Sequence, residues 1–300
     1  MNNRRHLRRI KDLVANRLML GVTIFVSLLV VFIAIGLITK SWPIMSLKPL
    51  PELLFSSTWS PMNGSFGFWP FIVGTLTVTA VAMVIAIPLC ILTALFLAEY
   101  APNHIRNTMK PIIDLLAGIP SVVYGLVGIL AVIPVVREIA AIFGISTTGY
   151  NVLTGGIVLA IMVFPIIIAI SEEVIKNVPN DMREVSFALG ATKWQATKLV
   201  FARGALPGII AAIILGFSRA FGETMAVLMV VGNVAKTPSS IFDPAYPLAA
   251  LIANNYGEMM SIPLYDSAIM FAALILLVVV VLFNLAASYI LIKVENRYAS

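Results

Sequence analysis

The chain has 300 residues, 60% of them hydrophobic and only 11% charged, with a formal net charge of +6 and a mean hydropathy of +1.00. A soluble domain carries about 25% charged residues, so this chain has too few polar groups to cover a water-facing surface. A soluble globular enzyme is excluded. One cysteine, Cys90, leaves no basis for a disulfide framework or a cysteine metal cluster.

The first 17 residues are basic, with Arg4, Arg5, Arg8, Arg9, Lys11 and Arg17. They precede the first of six apolar runs, each long enough for the roughly 20 helical residues that cross a bilayer core. The runs lie at about Leu18–Ile38, Phe71–Leu97, Ile112–Val135, Val152–Ile170, Ala205–Val234 and Ala268–Ile292. They are continuous rather than alternating, which excludes a β-barrel. Helices are then the only way to satisfy their backbone amides in lipid. The expected fold is an all-α, polytopic membrane protein with six transmembrane helices. The first run is longer than a secretory signal core and no Ala-x-Ala-like site follows it, so it reads as an uncleaved anchor.

Lysine and arginine set the sidedness. With the N-terminus inside, fifteen basic residues fall on the cytoplasmic side and four, Lys40, Lys48, Arg137 and Lys236, fall outside. Arg219 alone lies within a run. Both termini are expected in the cytoplasm, and sidedness accounts for the positive charge without invoking nucleic acid. The outside loops, Ser41–Pro70 and Lys236–Pro263, are punctuated by proline and expected to be irregular. Trp42, Trp59 and Trp69 suit a membrane interface.

Within the second run, Thr75 and Thr79 are spaced to bond the backbone or a neighbouring helix, with a substrate path as the other reading. In the third, Gly118-Ile-Pro120-Ser121 can break a spanning helix and free amides near Ser121 and Tyr124; an ordinary proline kink is the alternative. A cytoplasmic loop of about 172–204 is longer than reconnection requires. From Asp181 to Val200 it carries an amphipathic pattern, with a helix start at Pro179-Asn180-Asp181. Gly190 within it costs about 1 kcal/mol relative to alanine in a helix and suggests a turn between two short helices. Spacing alone leaves a docking helix and a helix lying on lipid headgroups equally open.

In the fifth run Arg219 and Glu223 are spaced i and i+4, which permits an intrahelical ion pair. Ionisable groups at that depth are costly unless paired or wet. They read either as a buried packing pair or as a translocation-path pair for an oxyanion. No G-x-x-x-x-G-K-[ST] segment occurs, so nothing in the chain resembles a P-loop.

Four separated segments carry a family resemblance that covers essentially the whole chain. They are Phe68-Trp-Pro-Phe-Ile-Val-Gly74-Thr75-Leu, Gly118-Ile-Pro120-Ser121-Val-Val-Tyr124-Gly125, Glu184-Val-Ser-Phe-Ala-Leu-Gly190-Ala191-Thr-Lys-Trp194 and Arg219-Ala-Phe-Gly222-Glu223-Thr224-Met225-Ala226-Val227. Together they resemble phosphate-specific importer permeases of the ATP-binding-cassette (ABC) class, and the last resembles the C-type (PstC) more than its A-type partner. The chain departs from the general coupling motif in having Glu184-Val185-Ser186 where that motif has Glu-Ala-Ala. Its Leu206-Pro207 also falls four residues late.

The resemblance implies a type I importer bundle, one membrane domain over 18–300, in a bacterial or archaeal cytoplasmic membrane. It implies that Glu184, Gly190, Ala191 and Trp194 couple to an ATPase, with Gly190 allowing close approach and Glu184 a polar contact. Arg219 and Glu223 would line or gate the path, with Ser121, Tyr124 and Thr75 as weaker pathway candidates. Implied partners are a second permease forming a heterodimer, two ATPase subunits and an extracytoplasmic phosphate-binding protein. ATP and Mg would be bound by the ATPases, with no cofactor or metal and no catalysis in this chain. A permease for molybdate or sulfate, or the A-type partner, is the near alternative; an ion channel would need no docking loop.

Overall fold

The computed structural model describes residues 2–258 and 261–298, with side-chain environments for residues 13–258 and 261–293. Helix α1 (Asn2–Leu47) runs unbroken through residue 17 into the first apolar run. After it come the short α2 (Leu50–Phe55) and a two-residue hairpin, β1 (Trp59–Ser60) against β2 (Ser65–Phe66). This loop is more ordered than its prolines suggest. Trp59 makes edge contacts with Phe66, Phe68 and Phe71, so it belongs to an aromatic core rather than to an interface belt.

Helix α3 (Trp69–Leu95) continues through a π-helical turn, Phe96–Tyr100. Its buried face steps Gly74, Val78, Ala82, Ala86, Cys90, Ala94, mostly small residues four apart. Such a stripe lets a neighbour approach closely, and α7 (Val152–Lys176) does so. Gly155 stands against Val78 and Gly156 against Val81 and Ala82, where a β-carbon would fall 2.5 Å from a Val81 methyl. The α3–α7 seam forms the centre of the bundle.

The third run departs from expectation. The single span expected over Ile112–Val135 is two helices, α4 (Asn103–Gly118) and a rod made of α5 (Ser121–Val127), a π turn (Gly128–Val132) and α6 (Ile133–Ile142). Ile119 and Pro120 between them are extended. Pro120 lacks an N–H and disfavours helical geometry at the residue before it. The break is deep. Ile133 touches Gly149, just before α7 begins, so Ser121 lies about 18 Å further in along the rod.

After α7 come α8 (Asp181–Ala188) and α9 (Lys193–Leu199), and α9 passes through a π-helical stretch (Val200–Ala205) into α10 (Leu206–Phe221). The fifth helix therefore starts well before Ala205 and stops well short of Val234. It ends at Gly222, and a new short helix, α11 (Met225–Val230), begins after Thr224. The loop beyond contains α12 (Leu248–Asn255), opened by Pro247, where irregular chain was expected. Helix α13 (Tyr265–Tyr298) closes the fold and packs on α1. Among the described residues, six helices are long and apolar enough to cross a membrane.

Within that last loop, Asp243 Oδ2 accepts hydrogen bonds from Ser239 Oγ (2.8 Å), Ser239 N–H (2.9 Å) and Ser240 N–H (2.9 Å). The Ser239 hydroxyl, then these amides, with Lys236 adding a weaker attraction, hold its carboxyl below the usual carboxylate range. A depressed folded value stabilises the loop above the unfolded value of about 3.9 and loses that stability as pH falls through the lower folded one. Amide-exchange protection at Ser239 and Ser240 should therefore collapse in that acid window. In Asp243→Asn the acid step should vanish; its persistence would reject the assignment.

Candidate functional site

The loop between α7 and α10 is built by local signals. Gly190 takes φ +79, and two bonds close the end of α8: Gly190 N–H to Phe187 O (2.9 Å) and Ala191 N–H to Ser186 O (3.0 Å). This is a Schellman cap, which favours glycine at the left-handed position. Two residues on, Thr192 and Gln195 form a capping box that starts α9. The segment is a helix–turn–helix, matching the turn read at Gly190. A β-carbon on Gly190 would meet nothing within 4 Å inside the chain, so its apex is open.

Glu184 lies exposed in the first turn of α8, where a carboxylate suits the helix dipole. Around it the apolar side chains point outward: Val185 is 59% exposed, Leu189 83% and Trp194 61%. An apolar patch on a turn that also carries charge needs a cover, either lipid or another protein.

Beneath the loop lies a joint that the sequence did not single out. Arg183 of α8 reaches Glu99 at the end of α3, with Nη2 2.6 Å and Nε 3.1 Å from Oε1. The same guanidinium donates to Val178 O (2.8 Å), Ile175 O (3.0 Å) and Asn180 Oδ1 (3.3 Å). Arg106 donates to Leu97 O and Ala98 O, and Lys193 Nζ sits 4.6 Å from the Tyr100 ring centre. Ala94, Ile175, Val178, Val200, Ala205 and Ile209 form a buried cluster directly behind. The one visible hint was Glu99, a lone carboxylate ending the second apolar run.

Deeper in the bundle, the expected Arg219–Glu223 ion pair is absent among the described residues. The two do not share one helical face, because α10 ends at Phe221 and Glu223 stands in the break. Glycine at 222 is a poor helix former, and Glu223 Oε1 instead accepts the Ala226 N–H at 3.1 Å, capping α11. Arg219 is exposed in the single chain, with no hydrogen bond or ion pair among the described residues.

Arg219 lies within electrostatic reach of Tyr124, itself buried and donating to Leu116 O across the α4–α5 break (2.7 Å). Ser121, half-buried, begins α5 one turn away. Glu223, Thr75 and Thr79 share a narrow crevice with Leu159 and Val227. The Thr75 hydroxyl is already engaged, donating to Phe71 O (2.7 Å) and accepting from Leu248 N–H (2.9 Å). Two helix breaks, an arginine without an ion pair among the described residues and the Glu223 carboxylate thus lie in this part of the bundle, where the Thr75 hydroxyl is already hydrogen-bonded within the protein.

Comparison with known proteins fits this architecture. Residues 86–296 match the family described as binding-protein-dependent transport system inner membrane component. A Bacillus subtilis protein named probable ABC transporter permease protein YqgH is 39% identical, covering 84% of this chain and 80% of its own. A Mesorhizobium japonicum phosphate transport system permease protein PstC is 34% identical, covering 91% and 88%. Among solved structures, the inward-facing MetNI methionine ABC transporter aligns with a TM-score of 0.57 at 18% identity, over 79% of this chain and 99% of that one. A bacterial alginate ABC transporter in complex with its pentasaccharide-bound periplasmic protein aligns with a TM-score of 0.52 at 18% identity, over 76% and 79%. At such identity those two show the fold alone. Taken with the six spans and the helix–turn–helix between the fourth and fifth, the family match means that this chain belongs to the binding-protein-dependent transport system inner membrane components, as a multi-pass membrane permease.

Proposed function

We propose that the chain is a permease subunit of an ATP-driven importer of inorganic phosphate, of the C type. Arg219 carries the reading. An arginine exposed on a membrane-spanning segment, with no hydrogen-bond or ion-pair partner among the described residues, needs water or an anion beside it, and its planar donors match phosphate oxygens as a fork. Glu223, placed nearby but not paired with it, would keep the site from holding the anion too tightly. The names of the relatives, phosphate transport permeases at 31–34% identity, support the same substrate.

The partners follow from the same reading: a second permease completing the path, two ATPase subunits that bind ATP and Mg, and an extracytoplasmic phosphate-binding protein. By the sidedness of the basic residues, both termini and the α8–α9 loop would lie in the cytoplasm. There the exposed Val185, Leu189 and Trp194 would dock in a groove of an ATPase, with Glu184 and Gly190 at the contact. ATP binding and hydrolysis would then shift the bundle between outward-open and inward-open populations.

The test is uptake into vesicles holding the full complex, with phosphate, molybdate and sulfate offered separately with their binding proteins. ATP-dependent accumulation of phosphate alone is expected. Preferred accumulation of molybdate or sulfate would overturn the substrate, and passive flux without ATP would overturn the mechanism.

A further inference from the structure

We propose that Glu99 and Arg183 form the joint that makes the α8–α9 loop move as one body with α3 and α7, and so act as positioning residues for coupling. The inference rests on the docking reading of the loop given above.

The guanidinium of Arg183 uses all five of its N–H donors. Nε and one Nη2 hydrogen go to Glu99, the other Nη2 hydrogen to Ile175 O, and the two Nη1 hydrogens to Val178 O and Asn180 Oδ1. Ile175 and Val178 mark the end of α7, Glu99 the end of α3, and Arg183 itself sits in α8. One planar group therefore fixes the angles among three elements. The side chains are largely shielded, with 17% of Arg183 and 10% of Glu99 accessible, so solvent cannot readily substitute for a lost partner. Lysine could supply charge here but neither the fork nor the donor count.

The neighbourhood favours transmission over simple stiffening. Helix α3 enters the joint through a π-helical turn, Phe96–Tyr100, and α9 leaves the loop through another, Val200–Ala205, where the hydrogen-bond register is already relaxed. A push on α8 and α9 can move those turns only if something ties the loop to them. Lys193 over Tyr100 is a looser second tie from α9 to the same turn. Without the Arg183 fork, the loop would remain attached by chain and apolar packing, free to swing while α3 and α7 stay still.

The experiment uses the complete complex and two substitutions, Glu99→Gln and Arg183→Lys, singly and together. ATPase subunits should co-purify as in the parent and hydrolysis should continue, while phosphate moved per ATP falls about tenfold in each single variant. The double variant should be no worse than the poorer single one, as expected for one shared interaction. In parallel, Leu189→Cys should form a cross-link to an ATPase subunit in the otherwise parent complex. If that cross-link fails to form, docking is rejected and the joint with it. If it forms and phosphate per ATP is unchanged in both single variants, the joint alone is rejected. Parallel loss of assembly and uptake, with an unchanged ratio in the complex that survives, would reduce the pair to a stabilising contact and also overturn the proposal.

Discussion

Gly190→Val should cut ATP-coupled uptake by at least about tenfold while leaving the six-helix bundle folded. The cap of α8 requires φ +79 at this position, and a β-branched residue there is strained by about 1–3 kcal/mol. The Schellman bonds from Gly190 and Ala191 would loosen, and the direction of α9 relative to α8 with them. The damage should stay local, because an added β-carbon meets no atom within 4 Å and the α3–α7 seam is remote from the turn. Glu184→Lys should act in the same direction by a different route. It places a cation at the positive end of α8, at a cost of about 0.3–1 kcal/mol, and reverses charge at the exposed docking face. Assembly, ATP hydrolysis and uptake measured on one preparation separate these effects from misfolding. Normal uptake in both variants would sink the docking assignment.

How legible all this was depends on the range of the interaction. The six spans, the turn at Gly190 and the start of α8 are set by composition and by residues within four positions of one another, and the sequence displays them. The stripe from Gly74 to Ala94 could be read as small residues at helical spacing, though nothing in it names α7 as the partner. Helix ends inside the apolar runs were harder. Ile112–Val135 looks continuous by hydropathy, yet Pro120 divides it, because a missing donor and a steric clash outweigh apolar character. The fifth run failed for a related reason. Hydropathy carried it past Gly222, so Arg219 and Glu223 were set on one helical face, whereas Glu223 caps the next helix at Ala226. The Glu99–Arg183 contact spans 84 positions, and no local rule brings those two residues together.

The absent ion pair sharpens the final expectation. With Glu223 occupied at the start of α11 and Arg219 unpaired among the described residues, the two charges should behave as separable groups. Arg219→Gln should lower phosphate uptake by about ten- to a hundredfold, a loss in keeping with removing a charge-assisted anion contact of about 1.5–3 kcal/mol, while assembly and membrane insertion survive. Glu223→Gln keeps an acceptor for the Ala226 N–H, so α11 should still start in place. Its effect should be a milder loss of flux, through slower release of an anion no longer opposed by a nearby carboxylate. A packing pair predicts the reverse pattern: each single substitution destabilises the complex, and the double variant Arg219→Gln with Glu223→Gln regains normal flux. A double-mutant cycle scored on both assembled complex and phosphate flux distinguishes the two. Restored flux in the double variant would remove Arg219 from the pathway, since no transport step could then require its charge. Flux lost wherever Arg219 is neutralised, with the complex intact, would place the requirement on the guanidinium itself.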